Sequence, residues 1–136
     1  MQKMLITGAG GFLGARFAQY FTGRYDVVAP PHAEMELANP AQVQQLFLRI
    51  QPDVVVHCGA VSDVKACETD PVRSQAINVG GTEAIAQACA QTGAKLVFCS
   101  SDQVYFGNEG LQAHTEDEPL APRNVYGKQK LRAEAR

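Results

Sequence analysis

The sequence predicts an α/β domain, a doubly wound parallel sheet with helices on both faces, and three observations carry that expectation. A short apolar run, Met4-Leu5-Ile6, leads into the glycine turn Thr7-Gly8-Ala9-Gly10-Gly11-Phe12-Leu13-Gly14, after which Phe12, Leu13, Phe17, Tyr20 and Phe21 recur at helical spacing. A continuous, β-branched run, Asp53 to Cys58, has the composition of a parallel strand covered on both faces, and Ala94 to Cys99 reads as another buried strand. Helical patterns alternate with these strands, which implies right-handed crossovers and a parallel sheet.

The elements follow in order. Tyr25 to Ala29 reads as the second strand, stopped by Pro30-Pro31. A short Met35-Glu36-Leu37 segment precedes Asn39-Pro40, an N-cap with proline at the first helical position, and residues 41–50 set Val43, Leu46, Phe47 and Ile50 on one face. After the Asp53 to Cys58 strand, Asp70-Pro71 opens a helix expected to reach about Ala90, with Gly93 as its stop. The Ala94 to Cys99 strand is followed by a polar loop rich in Gly, Glu and Pro through Pro122, and a last helix begins near Asn124. That helix, Tyr126 to Arg136, meets no Gly or Pro stop, so the domain is expected to be incomplete at Arg136.

Composition narrows the function. The chain has 136 residues, 46% of them hydrophobic, and a formal net charge of -2, which suits one folded domain rather than two or a disordered segment. There is no broad basic face, so nucleic acid is not the expected partner; an anionic ligand has to be held locally. No run approaches a membrane span and no signal peptide opens the chain, so a cytoplasmic location is expected. Cys58, Cys67, Cys89 and Cys99 form no C-x-x-C pair and lie mostly in apolar runs, which suits reduced, buried thiols and no metal.

Three groups of residues have chemical potential. In Gly8-x-x-Gly11-x-x-Gly14, Gly8 permits a tight turn, Gly11 lets the backbone approach a pyrophosphate, and Gly14 lets helix and strand pack closely. This is a Rossmann-type arrangement. The second strand ends without the acidic residue that ordinarily binds a ribose 2'-hydroxyl; His32 stands there instead, favouring NADP(H) over NAD(H) while leaving NAD(H) open. Tyr126 and Lys130 share a helix face, where an ammonium stabilises a phenolate and draws the phenol's pKa down. Ser101 and Asp102 follow a strand at the sheet's carboxyl edge, one suited to donating to a carbonyl, the other to touching a sugar hydroxyl or relaying a proton.

Together, TGAGGFLG, VHCGA at 56–60, Asn78, CSSDQVYFG at 99–107 and NVYGKQK at 124–130 resemble the extended short-chain dehydrogenase/reductases, and within them the dTDP-4-dehydrorhamnose reductase family. The resemblance implies NADPH-dependent reduction of the 4-keto group of a deoxysugar nucleotide. It assigns Ser101 to the catalytic Ser/Thr, Tyr126 to the acid and Lys130 to the residue that lowers the pKa of Tyr126 and binds the nicotinamide ribose, with Asp102 beside them. Gly8, Gly11, Phe12, Leu13 and Gly14 match the pyrophosphate turn, His32 a position often basic, and Glu36-Leu37 the adenine side. Cys58, Gly59 and Ala60 match the strand end beside the ribose, and Asn78 is expected on the cofactor side too.

Departures from the pattern matter. Lys65 stands where Asp is usual, and Gln103 and Phe106 replace common Tyr and Asp. Related dehydratases use an Asp-Glu pair at 102 and 103, and a neutral amide is no base, so dehydration is disfavoured. The resemblance also implies a chain about twice as long, with further strands and a C-terminal substrate domain, residues 1–136 being the NAD(P)-binding part. It leaves a homodimer open. Two other functions remain: an NADP-binding regulatory subunit resembling that of methionine adenosyltransferase, and a nucleotide-sugar epimerase.

Overall fold

A computed structural model describes residues 1–105 and 113–136. Four parallel strands, β1 (Lys3–Thr7), β2 (Asp26–Val28), β3 (Val54–His57) and β4 (Lys95–Phe98), lie in the order β2-β1-β3-β4. The register pairs Leu5 with Val28 on one side and with Val55 on the other, and Val55 in turn with Leu96. Alternate residues of a strand face opposite ways, and two cores result. Leu5 and Val55 join Val43, Leu46, Phe47, Ile50 and Ile85 of helices α2 (Pro40–Ile50) and α5 (Thr82–Thr92). Met4, Ile6 and Val56 face the other way, onto Phe17, Ala18 and Phe21 of α1 (Phe12–Phe21). The sheet is therefore covered on both faces, as the apolar runs require.

Local chemistry explains the element ends. Asn39 caps α2 by accepting from the Gln42 N–H at 3.2 Å, with Pro40 in the first helical position, and α5 stops at Gly93, where φ is 75°. The second strand is shorter than expected. The Tyr25 N–H is taken by the Phe21 carbonyl at the end of α1, and Pro30-Pro31 has no N–H for a ladder. Residues 32–34 make a 3-10 turn, and Met35 to Leu37 is not a strand.

Three corrections concern the rest. A six-residue helix, α3 (Val64–Thr69), stands where no helix was expected, started by Asp63 accepting from the Ala66 N–H at 2.7 Å. The single helix expected from Pro71 is α4 (Pro71–Gln75), then a π-helical segment Ala76–Gly81, then α5. Thr82 Oγ1 donates to the Asn78 carbonyl within this stretch, diverting an acceptor of the ordinary ladder. Lastly, β4, expected to be buried, lies at the edge of the sheet among the described residues, and its Val97 is 43% exposed.

A 3-10 turn (Asp102–Tyr105) and α6 (Val125–Glu134), capped by Asn124 on the Gly127 N–H, complete the described chain. Phe106 lies outside the described residues. Among those described, no helix is long and apolar enough to cross a membrane.

Candidate active site

The chain leaves β1 toward β2 on one side and returns to β3 on the other, so the carboxyl ends of β1 and β3 diverge, and a cleft opens between them. It measures about 410 Å³. One end is backbone, Gly8 to Gly11 on one lip and Gly59-Ala60 on the other; the far end is formed by Pro30, Pro31, Leu37, Val61 and Ile77. Gly8 has φ +72°, and a Cβ there would lie 2.7 Å from the Gly59 nitrogen; a Cβ on Gly14 would lie 2.3 Å from the Gly8 carbonyl oxygen. Only glycine lets strand, turn and helix close up in this way. No side chain caps α1 at Gly11, so first-turn N–H groups remain for an anion.

A buried chain of hydrogen bonds ties the two lips together. Thr82 donates to the Asn78 carbonyl, so it must accept from His57 Nε2, 3.0 Å away. His57 Nδ1 is then an acceptor for the Thr7 hydroxyl at 2.6 Å, and Thr7 accepts from the Gly59 N–H at 2.9 Å. Every proton in the chain has one place, and His57 is neutral. Burial, with Lys130 nearby, lowers its pKa to about 4.

The second lip is braced from behind by Asn78. Its Oδ1 accepts from the Val61 N–H at 2.8 Å, while Nδ2 donates to the Val61 carbonyl and to Gln129 Oε1 at 3.0 and 2.9 Å. Gln129 in turn donates to Ser74 Oγ at 2.8 Å. Asn78 therefore supports the cleft wall and does not line it, unlike the contact expected from the sequence.

Tyr126 and Lys130 are both buried on α6, close to Ser101. Lys130 Nζ donates to the Cys99 carbonyl at 2.9 Å and lies 4.7 Å from the Phe98 ring centroid and 5.9 Å from that of Tyr126. The Tyr126 phenol is not more acidic than usual, which corrects the expectation that Lys130 lowers it. Burial raises its pKa, and the hydrogen bond from Ser101 only partly offsets this. Burial likewise lowers the pKa of Lys130. Ser101 Oγ accepts from the Gln103 N–H at 3.1 Å and is 3.4 Å from Asp102 Oδ1, while Gln103 Oε1 accepts from Asn124 Nδ2 at 2.9 Å. The amide at 103 thus holds the start of α6 to the turn that carries Ser101.

The residues expected from the sequence fall into two groups. Gly8, Gly11, His32, Glu36, Leu37, Gly59 and Ala60 come together around the cleft. Ser101, Asp102, Tyr126 and Lys130 gather beyond the end of β4. Phe12, 81% exposed, does not line the cleft; nor do Leu13 and Cys58, and Gly14 lies buried beneath the turn. His32 Nε2 lies 2.8 Å from Glu36 Oε2, so the imidazole already faces a carboxylate. All four cysteines are free; Cys67 and Cys89 are buried, but Cys58 and Cys99 are only partly so, with sulfurs 3.5 Å apart. Burial and its neighbour push the Cys58 thiol up to about 12, which keeps it protonated. Arg73, Val61 and Ile77 were missed; they line the cleft from beyond β3, and only the helical spacing of 73 and 77 hinted at a shared face.

Comparison with known proteins agrees with this geometry. Residues 1–136 match the RmlD substrate binding domain family. The chain is 37% identical to a spore coat polysaccharide biosynthesis protein of Bacillus subtilis and 34% identical to a dTDP-4-dehydrorhamnose reductase of Mycobacterium tuberculosis, covering 96% and 98% of this chain but 46% and 44% of those proteins. It is also 33% identical to rat methionine adenosyltransferase 2 subunit beta, over 98% of this chain and 42% of that one. The crystal structure of dTDP-4-dehydrorhamnose reductase from Bacillus anthracis in complex with NADP superposes with a TM-score of 0.92 at 32% identity, covering 98% of this chain and 48% of that one. The chain thus spans under half the length of the relatives it matches. With the same parallel sheet and a family match over its whole length, this chain belongs to the RmlD substrate binding domain family.

Proposed function

We propose that this chain is the NAD(P)-binding part of a reductase that uses NADPH in preference to NADH to reduce the 4-keto group of a deoxysugar nucleotide. The observation that carries the reading is one sheet edge holding both a glycine-walled cleft and, beside it, the Ser101, Tyr126 and Lys130 cluster. The cleft fits a dinucleotide. Its backbone end, where even a Cβ added at Gly10 would meet nothing within 4 Å, leaves room for a pyrophosphate, and the Leu37, Val61 and Ile77 end offers an apolar slot for the base.

When bound, the nicotinamide supplies the hydride. The protein's own residues do the rest. Tyr126, kept protonated by burial, delivers the proton to the carbonyl oxygen, and Ser101 orients that oxygen by donating a hydrogen bond. Lys130 keeps one N–H on the Cys99 carbonyl and has others for ribose hydroxyls. Asp102 faces the sugar. His32 serves the 2'-phosphate through Nδ1 or by giving up Glu36. Residues 1–136 form one domain in this reading, and the remaining sugar contacts come from outside it.

The test is NADPH oxidation by the intact protein with a dTDP-4-keto-6-deoxysugar. Stoichiometric consumption, faster than with NADH, supports the reading. A second reading has support from the likeness to methionine adenosyltransferase 2 subunit beta: saturable NADPH binding with no oxidation, together with a stable partner protein, would favour a regulatory subunit. An epimerase would convert the sugar with no net loss of NADPH.

A further inference from the structure

We infer that Arg73 caps the base end of the cleft, stacking its guanidinium on the exposed face of the adenine. This rests on the dinucleotide reading above. Arg73 lines the cleft together with Ile77, four residues further along the same helical path and so on the same face. Ile77 is buried against the apolar slot, while Arg73, one turn outward, is exposed at its mouth.

Four other arginines have their guanidinium groups engaged, while Arg136, at the last position, has no such partner either among the described residues and lies away from the cleft. Arg16 and Arg24 lie over the rings of Phe12 and Tyr20, Arg49 pairs with Glu34, and Arg132 donates to Gln75. Arg73 is engaged through its backbone, its N–H by Asp70 Oδ1 at 3.0 Å and its carbonyl by the Ala76 N–H; its guanidinium has no ion pair, hydrogen bond or ring contact among the described residues. Two carboxylates lie nearby, but each holds a helix start: Asp70 accepts from the Arg73 N–H and Asp63 from the Ala66 N–H.

The surroundings select the ligand group. Phosphate-binding N–H groups are at the glycine end. At the far end the walls are Leu37, Val61 and Ile77, with His32 and its Glu36 partner entering from the β2 side and Arg73 from the β3 side. A guanidinium is planar and weakly hydrated, so it lies flat on an aromatic ring in a way a lysine ammonium does not. A base seated between Leu37 and Ile77 presents such a ring at the mouth.

The test compares the intact protein with Arg73→Ala, Arg73→Lys and Arg73→Tyr by fluorescence titration with NADPH and NADH, and by competition with AMP and nicotinamide mononucleotide. Arg73→Ala should weaken NADPH, NADH and AMP alike, by about two- to fivefold, the range of an exposed cation on a ring, and leave nicotinamide mononucleotide unchanged. Arg73→Lys should behave like the alanine variant, and Arg73→Tyr, which restores a flat surface without charge, should recover most of the affinity. A loss confined to NADPH overturns the proposal in favour of 2'-phosphate contact, and unchanged affinity in Arg73→Ala overturns it outright. Failure of the unsubstituted protein to bind either dinucleotide is a distinct result: it overturns the dinucleotide reading itself.

Discussion

Lowering the pH from about 7.5 to about 4.5 asks His57 to accept a proton for which the folded protein has no place. The Thr7 hydroxyl already donates to Nδ1, and Nε2–H already donates to Thr82. The folded pKa is about 4 against an ordinary 6.5. Between those values the unfolded chain holds the extra proton and the folded chain does not, so stability falls as pH falls through this window and is level above it. The gap corresponds to about 3 kcal/mol once complete, a large share of a typical domain's stability. Carboxylates titrate in the same range, so the informative quantity is a difference. Urea unfolding of the protein and of His57→Gln should be followed across the window. The variant, less stable at neutral pH, should lose less on acidification, and the two curves should converge by about 3 kcal/mol. If the difference between them stays constant, the neutral-imidazole account is wrong.

Other expectations concern the catalytic cluster and the turn. In the intact protein, Tyr126→Phe should abolish NADPH oxidation while changing cofactor affinity little; undiminished turnover removes Tyr126 from the chemistry. Because burial raises the phenol pKa, the acid stays protonated through neutral pH, and turnover should fall only on the alkaline side, above the ordinary value of 10; a decline near neutrality in the pH–rate profile refutes this. Gly14→Ala puts a Cβ against the Gly8 carbonyl and should cost about 1–3 kcal/mol in unfolding experiments while impairing dinucleotide binding. Gln129→Leu leaves Asn78 and Ser74 without their amide partner and should destabilise by about 1–3 kcal/mol; an unchanged melting curve means that α6 does not depend on that link.

Signals that repeat or that demand one residue type were legible in the sequence. The alternation of apolar runs located β1, β3 and the two faces of the sheet, and the Asn39-Pro40 start and Gly93 stop marked α2 and α5 because cap chemistry is local. Six-residue α3 offered too little periodicity, and the π-helical turn depends on Thr82 meeting a carbonyl one turn back, which no pattern of apolar residues records. The same division runs through the site. The glycines were visible since a positive φ and a missing Cβ exclude other residues. Arg73 was hidden because its place on the cleft wall with Leu37 and Ile77 is a property of the folded chain. The acidity of Tyr126 was misjudged for a related reason: a shared helix face brings Lys130 near, but burial, a property of the whole fold, raises the phenol's pKa.

At the margin of the sheet, β4 has a neighbour only on the β3 side among the described residues. Its outer N–H and C=O groups form a row that another extended segment can extend, and Val97 adds an apolar foothold. A strand docked there would gain a full ladder without disturbing either core. Exposed Lys95 is the residue within the strand that opposes such docking between like chains, by charge repulsion. Preparations of the isolated 136-residue chain should therefore self-associate more at high ionic strength, where that repulsion is screened.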